Sequence, residues 1–430
     1  MWRLVRRSGG QMRRVRRCGL VVLAVLIAAP IVSSTSATAA PSRSRSSLVS
    51  TDAWPQLQRD ASHSAFNATD TALTASSVAQ VHQIAAIPLP AVGSQPAVSG
   101  GNVYVVGSSV TSYTADGAVR WSHKLSVGGE NYTTPAVSGD HVVVVTQPKH
   151  SGPSSAISLN TKSGAVQWKH LLTGYSEASP TISGGVAYVA DYGSLETHVT
   201  AFALASGTRL WRAPVAGSGG GGWGAVAVAG GRVFVTNNGG GGGLTALNAK
   251  TGRQIWTKTF ANGGIAGISD MDAPVATKTV VYAMNATNQD VEAFDTKTGD
   301  RLWASDDLGS DGGYLSLDSG AGLLFDNVLN PNDGGHDITT AFDTTTGVTV
   351  WSKDLNAAGA AALANGIMFT TQYVNGASAI TYYAEATGAT IAPASPTSID
   401  SPCLGAPAIA NGRLYAISAC LDYELIVLSP

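Results

Sequence analysis

The chain has 430 residues, 44% of them hydrophobic and 13% charged, with a formal net charge of −2 at pH 7. This length exceeds the roughly 250–300 residues at which one hydrophobic core usually stops growing, so it indicates two domains unless the chain is built from repeats. All 28 acidic residues lie beyond residue 39, and residues 40–430 hold 19 basic residues, which gives that part a formal charge of −9. This balance argues against a nucleic-acid partner, because phosphate binding needs clustered Lys and Arg.

Residues 1–39 have the pattern of an export signal. Seven arginines precede Cys18, an apolar run follows over residues 19–32, and residues 37–39 (ATA) are typical of a cleavage site. The apolar run is shorter than the roughly 20 residues that span a bilayer. We therefore expect a secreted or cell-envelope protein, cleaved near Ala39 and without a transmembrane span afterwards; a signal kept as a membrane anchor is the alternative.

The next two segments lack strand periodicity. Residues 40–53 are rich in Ser and Arg and are expected to form a flexible tether. Residues 54–79 are polar and turn-rich, and we expect them to pack across one face of the domain that follows. Residues 80–89 resemble a single β-strand.

The remainder of the chain repeats one motif, of which residues 293–303 (AFDTKTGDRLW) are a clear copy. Four copies share the spacing Ala, five residues, Gly, three residues, Trp, and two looser copies have Thr111 and Ser158 in place of Ala. The six copies end at Trp121, Trp168, Trp211, Trp256, Trp303 and Trp351. A seventh copy has Ala392 instead of Trp, and the repeat period of 41 to 48 residues is that of a four-stranded propeller blade.

Each repeat can be divided into strands A to D from the axis outward. In residues 176–215 these are 179–183, 185–190, 200–204 and 208–215, separated by Gly-containing turns. The strand at residues 80–89 and three strands in residues 405–430 complete an eighth blade. We therefore predict an all-β, eight-bladed β-propeller over residues 80–430, closed by one N-terminal strand pairing with three C-terminal strands.

The motif tryptophans are predicted to fill the gaps between adjacent blades. The copy with Ala392 then predicts a weaker contact beside the seventh blade. We regard inter-blade packing, and not a cofactor platform, as the role of the six tryptophans.

These repeats, the eightfold count and the entry segment at residues 54–83 resemble the pyrroloquinoline quinone (PQQ) repeat β-propeller superfamily, which includes BamB-type and quinoprotein-dehydrogenase-type propellers. The resemblance covers residues 54–430 and concerns motifs that pack the fold. It implies a propeller for this chain. No catalytic residue can be carried over by motif, and the adjacent Cys-Cys pair and Cys-x-x-Cys-His motif of family enzymes are absent from the sequence.

Cys403 and Cys420 flank a predicted β-hairpin. Asn411 and Gly412 form a strong two-residue turn signal, and a ladder that stays in register places the two cysteines opposite each other. We expect a structural disulfide between them. A redox-active thiol pair is the alternative, although the Cys-x-x-Cys spacing is absent.

The two faces of the predicted propeller differ in composition. We call the face with the A–B and C–D turns the turn face, and the face with the B–C and D–A connections the loop face. The turn face collects Lys and Arg, whereas the loop face collects acids, amides and aromatics. The ligand-binding candidates on the loop face are Trp223, Asn237, Asp270, Asp272, Tyr314 and Tyr373.

Two loop-face stretches suggest specific ligands. Trp223, in the stretch GSGGGGWG, could stack on a sugar or a planar ligand, or merely cap the channel. The stretch NPNDGGHD at residues 330–337 is rich in oxygen ligands suited to calcium, or is simply a solvated loop. The calcium candidates are Asp311, Asn330, Asn332, Asp333 and Asp337.

The sequence therefore predicts an exported, monomeric, non-enzymatic binding or scaffolding propeller. Its acidic loop face would contact a protein or a glycan at the cell surface, with calcium as a possible aid and no other cofactor. The alternative is a PQQ- and calcium-dependent dehydrogenase of alcohols or sugars. That alternative requires cationic or amide donors and a calcium ion around a tricarboxylate, and the sequence places the cations on the turn face.

Overall fold

The computed structural model describes residues 52–90, 95–125, 133–148, 152–192, 197–215, 224–237, 243–260, 273–285, 288–306, 308, 313–329, 337–355, 358–399, 404–418 and 423–430. They form eight four-stranded antiparallel sheets and one short 3-10 helix, Val78–Gln80. No helix among these residues has the length and apolar character needed to span a membrane.

The first half of the chain contains the following strands in sequence order: β1 (His82–Pro88), β2 (Ala97–Ser99), β3 (Asn102–Val106), β4 (Ser109–Thr114), β5 (Val119–Lys124), β6 (Ala136–Ser138), β7 (His141–Thr146), β8 (Ser155–Asn160), β9 (Val166–Leu171), β10 (Thr181–Ser183), β11 (Val186–Tyr192), β12 (Thr197–Ala203), β13 (Arg209–Val215), β14 (Ala227–Ala229), β15 (Arg232–Asn237), β16 (Gly243–Asn248) and β17 (Gln254–Thr259).

The second half contains β18 (Val275–Ala276), β19 (Val280–Asn285), β20 (Asp290–Asp295), β21 (Arg301–Ala304), β22 (Gly313–Asp318), β23 (Leu323–Leu329), β24 (Asp337–Asp343), β25 (Thr349–Asp354), β26 (Ala358–Ala364), β27 (Ile367–Val374), β28 (Ala377–Ala384), β29 (Thr390–Pro396), β30 (Ala408–Ala410), β31 (Arg413–Ile417) and β32 (Glu424–Ser429).

The predicted fold and its closure are confirmed. Blades 1 to 7 each take four consecutive strands, from β2–β5 to β26–β29, and blade 8 has the order β30, β31, β32, β1. Strand β1 pairs antiparallel with β32, from His82 opposite Ser429 to Pro88 opposite Glu424. The two ends of the chain therefore share one sheet, which leaves no blade with an unpaired internal edge at the closure.

The motif tryptophan of one blade packs on the motif glycine of the next. Trp256 donates a hydrogen bond from Nε1 to the Thr296 carbonyl at 3.0 Å, and a Cβ atom on Gly299 would lie 2.6 Å from the Trp256 ring. The same pairing joins Trp121 to Gly164, Trp168 to Gly207, Trp211 to Gly252, Trp303 to Gly347 and Trp351 to Gly388. Each copy of the motif thus supplies a Trp to one seam between blades and a Gly to the preceding seam.

A short polar side chain shapes most of these C–D turns. Asp295 Oδ1 accepts hydrogen bonds from the backbone amides of Lys297 and Thr298, at 2.8 and 2.9 Å, and these bonds lower the pKa of the Asp295 carboxyl. Asn160, Asn248 and Asp343 do the same in their own blades. This side-chain-to-backbone turn presents the following glycine at positive φ against the neighbouring Trp.

The seam that lacks a motif Trp adjoins the chain closure. Ala392 of blade 7 faces blade 8, whose C and D strands come from opposite ends of the chain, so no C–D turn offers a Trp its glycine and carbonyl. A side chain of strand C fills the space that a motif Trp takes in the other seams. Tyr382 pairs with Ala392, is fully buried, and donates a hydrogen bond to Ser395 Oγ at 2.6 Å.

Residues 54–67, here called the hub segment, line the axis of the propeller at its turn-face end. The segment contacts the central part of all eight innermost strands through hydrogen bonds. It meets them at Val98, Val137, Ile182, Val228, Ala276, Leu317, Leu363 and Ile409. The amide or carbonyl groups that each inner strand directs toward the axis therefore gain partners inside the protein.

Side chains of the hub segment anchor it to the ring. The ring of Trp54 is fully buried, and its Nε1 donates to Gln95 Oε1 at 3.0 Å. Gln58 donates from Nε2 to the Leu315 carbonyl at 2.8 Å. His63 is also fully buried, 3.3 Å from Thr181 Oγ1, and burial lowers the pKa of its imidazole to about 4. The imidazole is therefore neutral at pH 7.

A pair of buried carboxyl groups lies at the seam between blades 6 and 7. Glu385 follows strand β28, its carbonyl accepts the Nε1–H of Trp351, and its side chain adjoins that of Asp318. Burial, followed by repulsion from Asp318, raises the pKa of Glu385 to about 8. The position holds Thr296 or Thr344 in the corresponding turns of other blades, so the acid is specific to this seam.

The tryptophan–glycine contact predicts a difference between two glycine variants. Gly299→Ala has both an unfavourable φ of +72° and a Cβ clash with Trp256, whereas Gly231→Ala has a φ of +77° with nothing within 4 Å. We expect Gly231→Ala to lower the free energy of unfolding by about 1–2 kcal/mol from backbone strain alone. Gly299→Ala should lower it by about 1–3 kcal/mol more through overpacking. Chemical denaturation measures both; equal losses would contradict the seam contact.

The buried carboxyl pair predicts a pH-dependent stability. The folded chain keeps the Glu385 proton up to about pH 8, whereas an unfolded Glu releases it near pH 4.5, so the free energy of unfolding falls as pH rises between these values. Glu385→Gln should match the wild type at pH 4 and exceed it at pH 9, by an amount on the order of 2 kcal/mol. Glu424→Gln, in blade 8, is the matched control. An unchanged pH profile in Glu385→Gln would refute this assignment.

Candidate functional site

The loop face is where the blades differ from one another, and the structure describes only part of its predicted residues. Tyr314 lies in β22 and Tyr373 in β27, on the loop-face ends of blades 6 and 7. Asn237 ends β15 and Asp337 begins β24, although their side chains lie outside the described residues. The other ligand and calcium candidates lie outside them entirely: Trp223, Asp270, Asp272, Asp311, Asn330, Asn332 and Asp333. Their roles remain predictions.

The cysteine pair also lies outside the described residues, so the disulfide remains a prediction. The hairpin itself has the expected register near its turn, with Ala410 opposite Arg413 and Ala408 opposite Tyr415. Farther out, the isolated bridge joins Leu404 to Ser418, which is one residue off that register. At this bridge the hairpin therefore does not keep the register that would place the two cysteines directly opposite each other.

Blade 7 presents a hairpin on the loop face. Strands β27 and β28 are eight residues each and pair up to Val374 opposite Ala377. Asn375 and Gly376 both have positive φ, 52° and 86°, as a tight two-residue turn requires. Tyr373 is next to this turn and is 40% exposed, so an aromatic ring is available at the surface of this face.

Blade 6 carries a buried acid that the sequence analysis did not single out. Asp326 is fully buried in β23, and a Cβ atom on Gly313 would lie 2.0 Å from its carboxylate. The neighbouring Asn327 donates from Nδ2 to the Gly359 carbonyl of blade 7 at 2.8 Å. Asp326 is the one charged residue in the otherwise largely apolar strand LLFDNVL. This is the signal in the sequence that could have singled it out.

A second acidic position lies before the inner strand of blade 3. Tyr175 donates a hydrogen bond to Glu177, and burial raises the pKa of both side chains, although this hydrogen bond opposes the rise at Glu177. Nearby, Asp191 is buried and accepts hydrogen bonds from the amide and hydroxyl of Thr173, at 3.1 and 2.7 Å. Arg212 approaches the same carboxylate at 3.9 Å. The acids of this blade are thus held by internal partners.

The described residues that precede the inner strands on the loop-face side of the channel include no cation. Apart from the half-buried Glu177 and Gln95, they are mostly buried hydroxyl and small apolar side chains: Thr133, Thr134, Ser176, Ser179, Ala225 and Ala273. Leu57 of the hub segment packs against Ala225 and Ala273. PQQ carries three carboxylates, and the described part of this lining offers amide and hydroxyl donors but no cation to offset that charge. Among the described residues, no group of three or more His, Cys, Asp or Glu is arranged to hold a metal ion.

The turn face is less uniformly basic than the sequence analysis expected. Asp116 and Asp140 project from the turns of blades 1 and 2 with side chains that are 89% and 62% exposed, and Asp343 lies in a turn of blade 6. Turn-face cations cluster on blades 4 and 5, at Arg232, Lys250, Arg253, Lys278 and Lys297, where blade 5 also carries Asp295 and Asp300. The turn face therefore mixes both charge signs, with its densest group of cations on these two blades.

Comparisons with known proteins agree with this architecture. The family model described as outer membrane protein assembly factor BamB matches residues 59–197 and 195–336, more than half of the chain. No curated protein matches the chain.

Solved structures share the fold at low identity. BamB from Moraxella catarrhalis is 20% identical, covers 81% of this chain and 98% of its own, and has a TM-score of 0.61. Quinohemoprotein alcohol dehydrogenase from Comamonas testosteroni is 14% identical, with 89% and 81% coverage and a TM-score of 0.70. A europium-containing methanol dehydrogenase is 12% identical, with 88% and 98% coverage and a TM-score of 0.69.

These structures include an outer membrane protein assembly factor and two dehydrogenases, so they show the fold and leave the activity open. The family model, the eight blades and the Trp–Gly seams agree: the chain belongs to the BamB family of PQQ-like β-propellers.

Proposed function

We propose that this protein is an extracytoplasmic, non-enzymatic binding propeller that contacts a partner protein through its loop face. The observation that carries the proposal is the position of the hub segment. Asp52, which precedes the hub segment and is the first described residue, accepts a hydrogen bond from the Gly412 amide in the A–B turn of blade 8, so the described chain begins on the turn face. The loop face is at the opposite end of the propeller axis from this connection.

The chemistry of the loop face supports the same proposal. Its described residues include the exposed Tyr373 and the half-buried Glu177, while the described part of the channel lining holds no cation that could offset the charge of a quinone. Aromatic residues beside charged and amide groups are typical of protein contact surfaces. The family description, an outer membrane assembly factor, agrees with a protein partner outside the cytoplasm. Calcium bound by residues 330–337 would assist the contact.

The loop-face proposal predicts where a partner will cross-link. Benzoylphenylalanine placed at position 373 in the full chain should give one discrete protein adduct in the native cell envelope. The matched control is position 348, where Val348 is 64% exposed on the turn face. Tyr373→Ser should lower recovery of the same partner at least about fivefold, as for loss of an aromatic anchor, whereas Val348→Ser should not.

Other outcomes would replace the proposal. An adduct at position 348 alone would move the contact to the turn face, and saturable binding on a glycan array without a protein adduct would make the ligand a glycan. Tight binding of PQQ with calcium, together with dye-linked alcohol oxidation, would establish the enzyme instead. Adduct yield that is unchanged by chelation would remove calcium from the proposal while leaving the contact in place.

A further inference from the structure

A groove of about 470 Å³ opens on the turn face at the seam between blades 3 and 4. Its floor is apolar, with Tyr188, Leu210 and Val228, and its walls include the A–B turns of both blades. The groove lies far from the loop-face contact surface proposed above, because the A–B turns and the B–C connections are at opposite ends of each blade.

The groove exists because both A–B turns consist of paired glycines. Gly184 and Gly185 have φ values of 56° and 78°, which favour glycine, and a Cβ atom at either position would meet nothing within 4 Å. The corresponding turns of neighbouring blades carry side chains, Asp140 in blade 2 and Lys278 in blade 5. The two A–B turns therefore place no side chain over this seam.

The floor offers apolar surface to solvent. Leu210 is 49% exposed on β13, immediately before the motif Trp211. Tyr188 packs against the Trp211 ring with centroids 5.9 Å apart, and both the Tyr188 hydroxyl and the Trp211 Nε1–H bond to the Ala249 carbonyl. The floor is thus rigid, since the seam contact already holds its rings in place.

The rim of the groove is cationic. Lys250 lines it directly, and Arg232 donates to the carbonyl of Gly230, which also lines it, at 2.8 Å. The backbone of Lys278, in the A–B turn of blade 5, lies beside Gly230, where a Cβ atom would be 2.9 Å from the Lys278 carbonyl oxygen. Arg253 closes the same C–D turn as Lys250. In the part of the chain that the structure describes, none of these four side chains forms an ion pair with a carboxylate.

We propose that this groove binds an acidic peptide segment of a partner protein, with an apolar side chain of the peptide seated on Leu210 and Tyr188. Charge complementarity selects this occupant. The chain's own residues 1–51 hold nine arginines and no acidic residue, so the cationic rim would repel them. A flat anionic membrane would meet Asp116, Asp140 and Asp343 on the same face, whereas a short peptide in the groove would lie next to Lys250 and Arg232.

The test uses a fluorescein-labelled heptapeptide of alternating Glu and Leu, titrated with the folded protein and followed by fluorescence anisotropy. We expect saturable binding that weakens as salt rises. Leu210→Ser and Lys250→Glu should each weaken it at least about fivefold, as for loss of an anchor or reversal of a rim charge. The heptapeptide with Lys in place of Glu should not bind.

Two control variants match these substitutions in other blades. Leu302 precedes Trp303 as Leu210 precedes Trp211, and Lys162 occupies the C–D turn position of Lys250. Leu302→Ser and Lys162→Glu should leave peptide binding unchanged. Circular dichroism of all four variants checks that each one folds.

Three results would overturn the proposal. The first is the absence of saturable binding by the wild type, and the second is equal weakening by the control variants. The third is complete competition by anionic phospholipid vesicles with little discrimination between the Glu and Lys peptides, which would assign the surface to a membrane.

Discussion

The inner edges of the eight sheets impose the constraint on which this structure depends. Each innermost strand turns amide and carbonyl groups toward the axis, where no ninth sheet can pair with them. The hub segment supplies partners to all eight strands at one level, through bonds such as those between Trp54 and Val98. Because buried backbone groups without partners are costly, this segment is part of the fold and not an appendage to it.

The Trp–Gly contacts at the seams between blades form a second network, and the hydrogen bonds to the hub segment set the spacing of the blades that it joins. Each Trp ring needs a neighbouring turn with glycine at positive φ and a free carbonyl, so adjacent blades must carry the motif in the same register. Where the chain ends interrupt a turn, at blade 8, the Trp is replaced by Ala392 and the volume is taken by Tyr382. The sequence irregularity thus follows from the closure of the ring.

Because both networks involve the turn face, its residues are more constrained than those of the loop face. The turn face carries the motif and the hub segment, and its glycine turns leave a groove at the seam between blades 3 and 4. The loop face is released from the motif, and acids such as Asp191 and Asp326 are buried in its strands. Surface residues on either face can therefore change without disturbing the seams that hold the propeller together.

The sequence by itself determined the blade count, the strand order and the closure, because the motif repeats at one spacing and each strand pattern is local. It also placed the six tryptophans, since a large side chain after a glycine turn has few positions to fill. Only the tertiary structure decided what depends on contacts between distant residues. The eightfold contacts of the hub segment, the Glu385–Asp318 pair, the burial of Asp326 and the open seam beside Leu210 each join segments far apart in the chain, which no local pattern encodes.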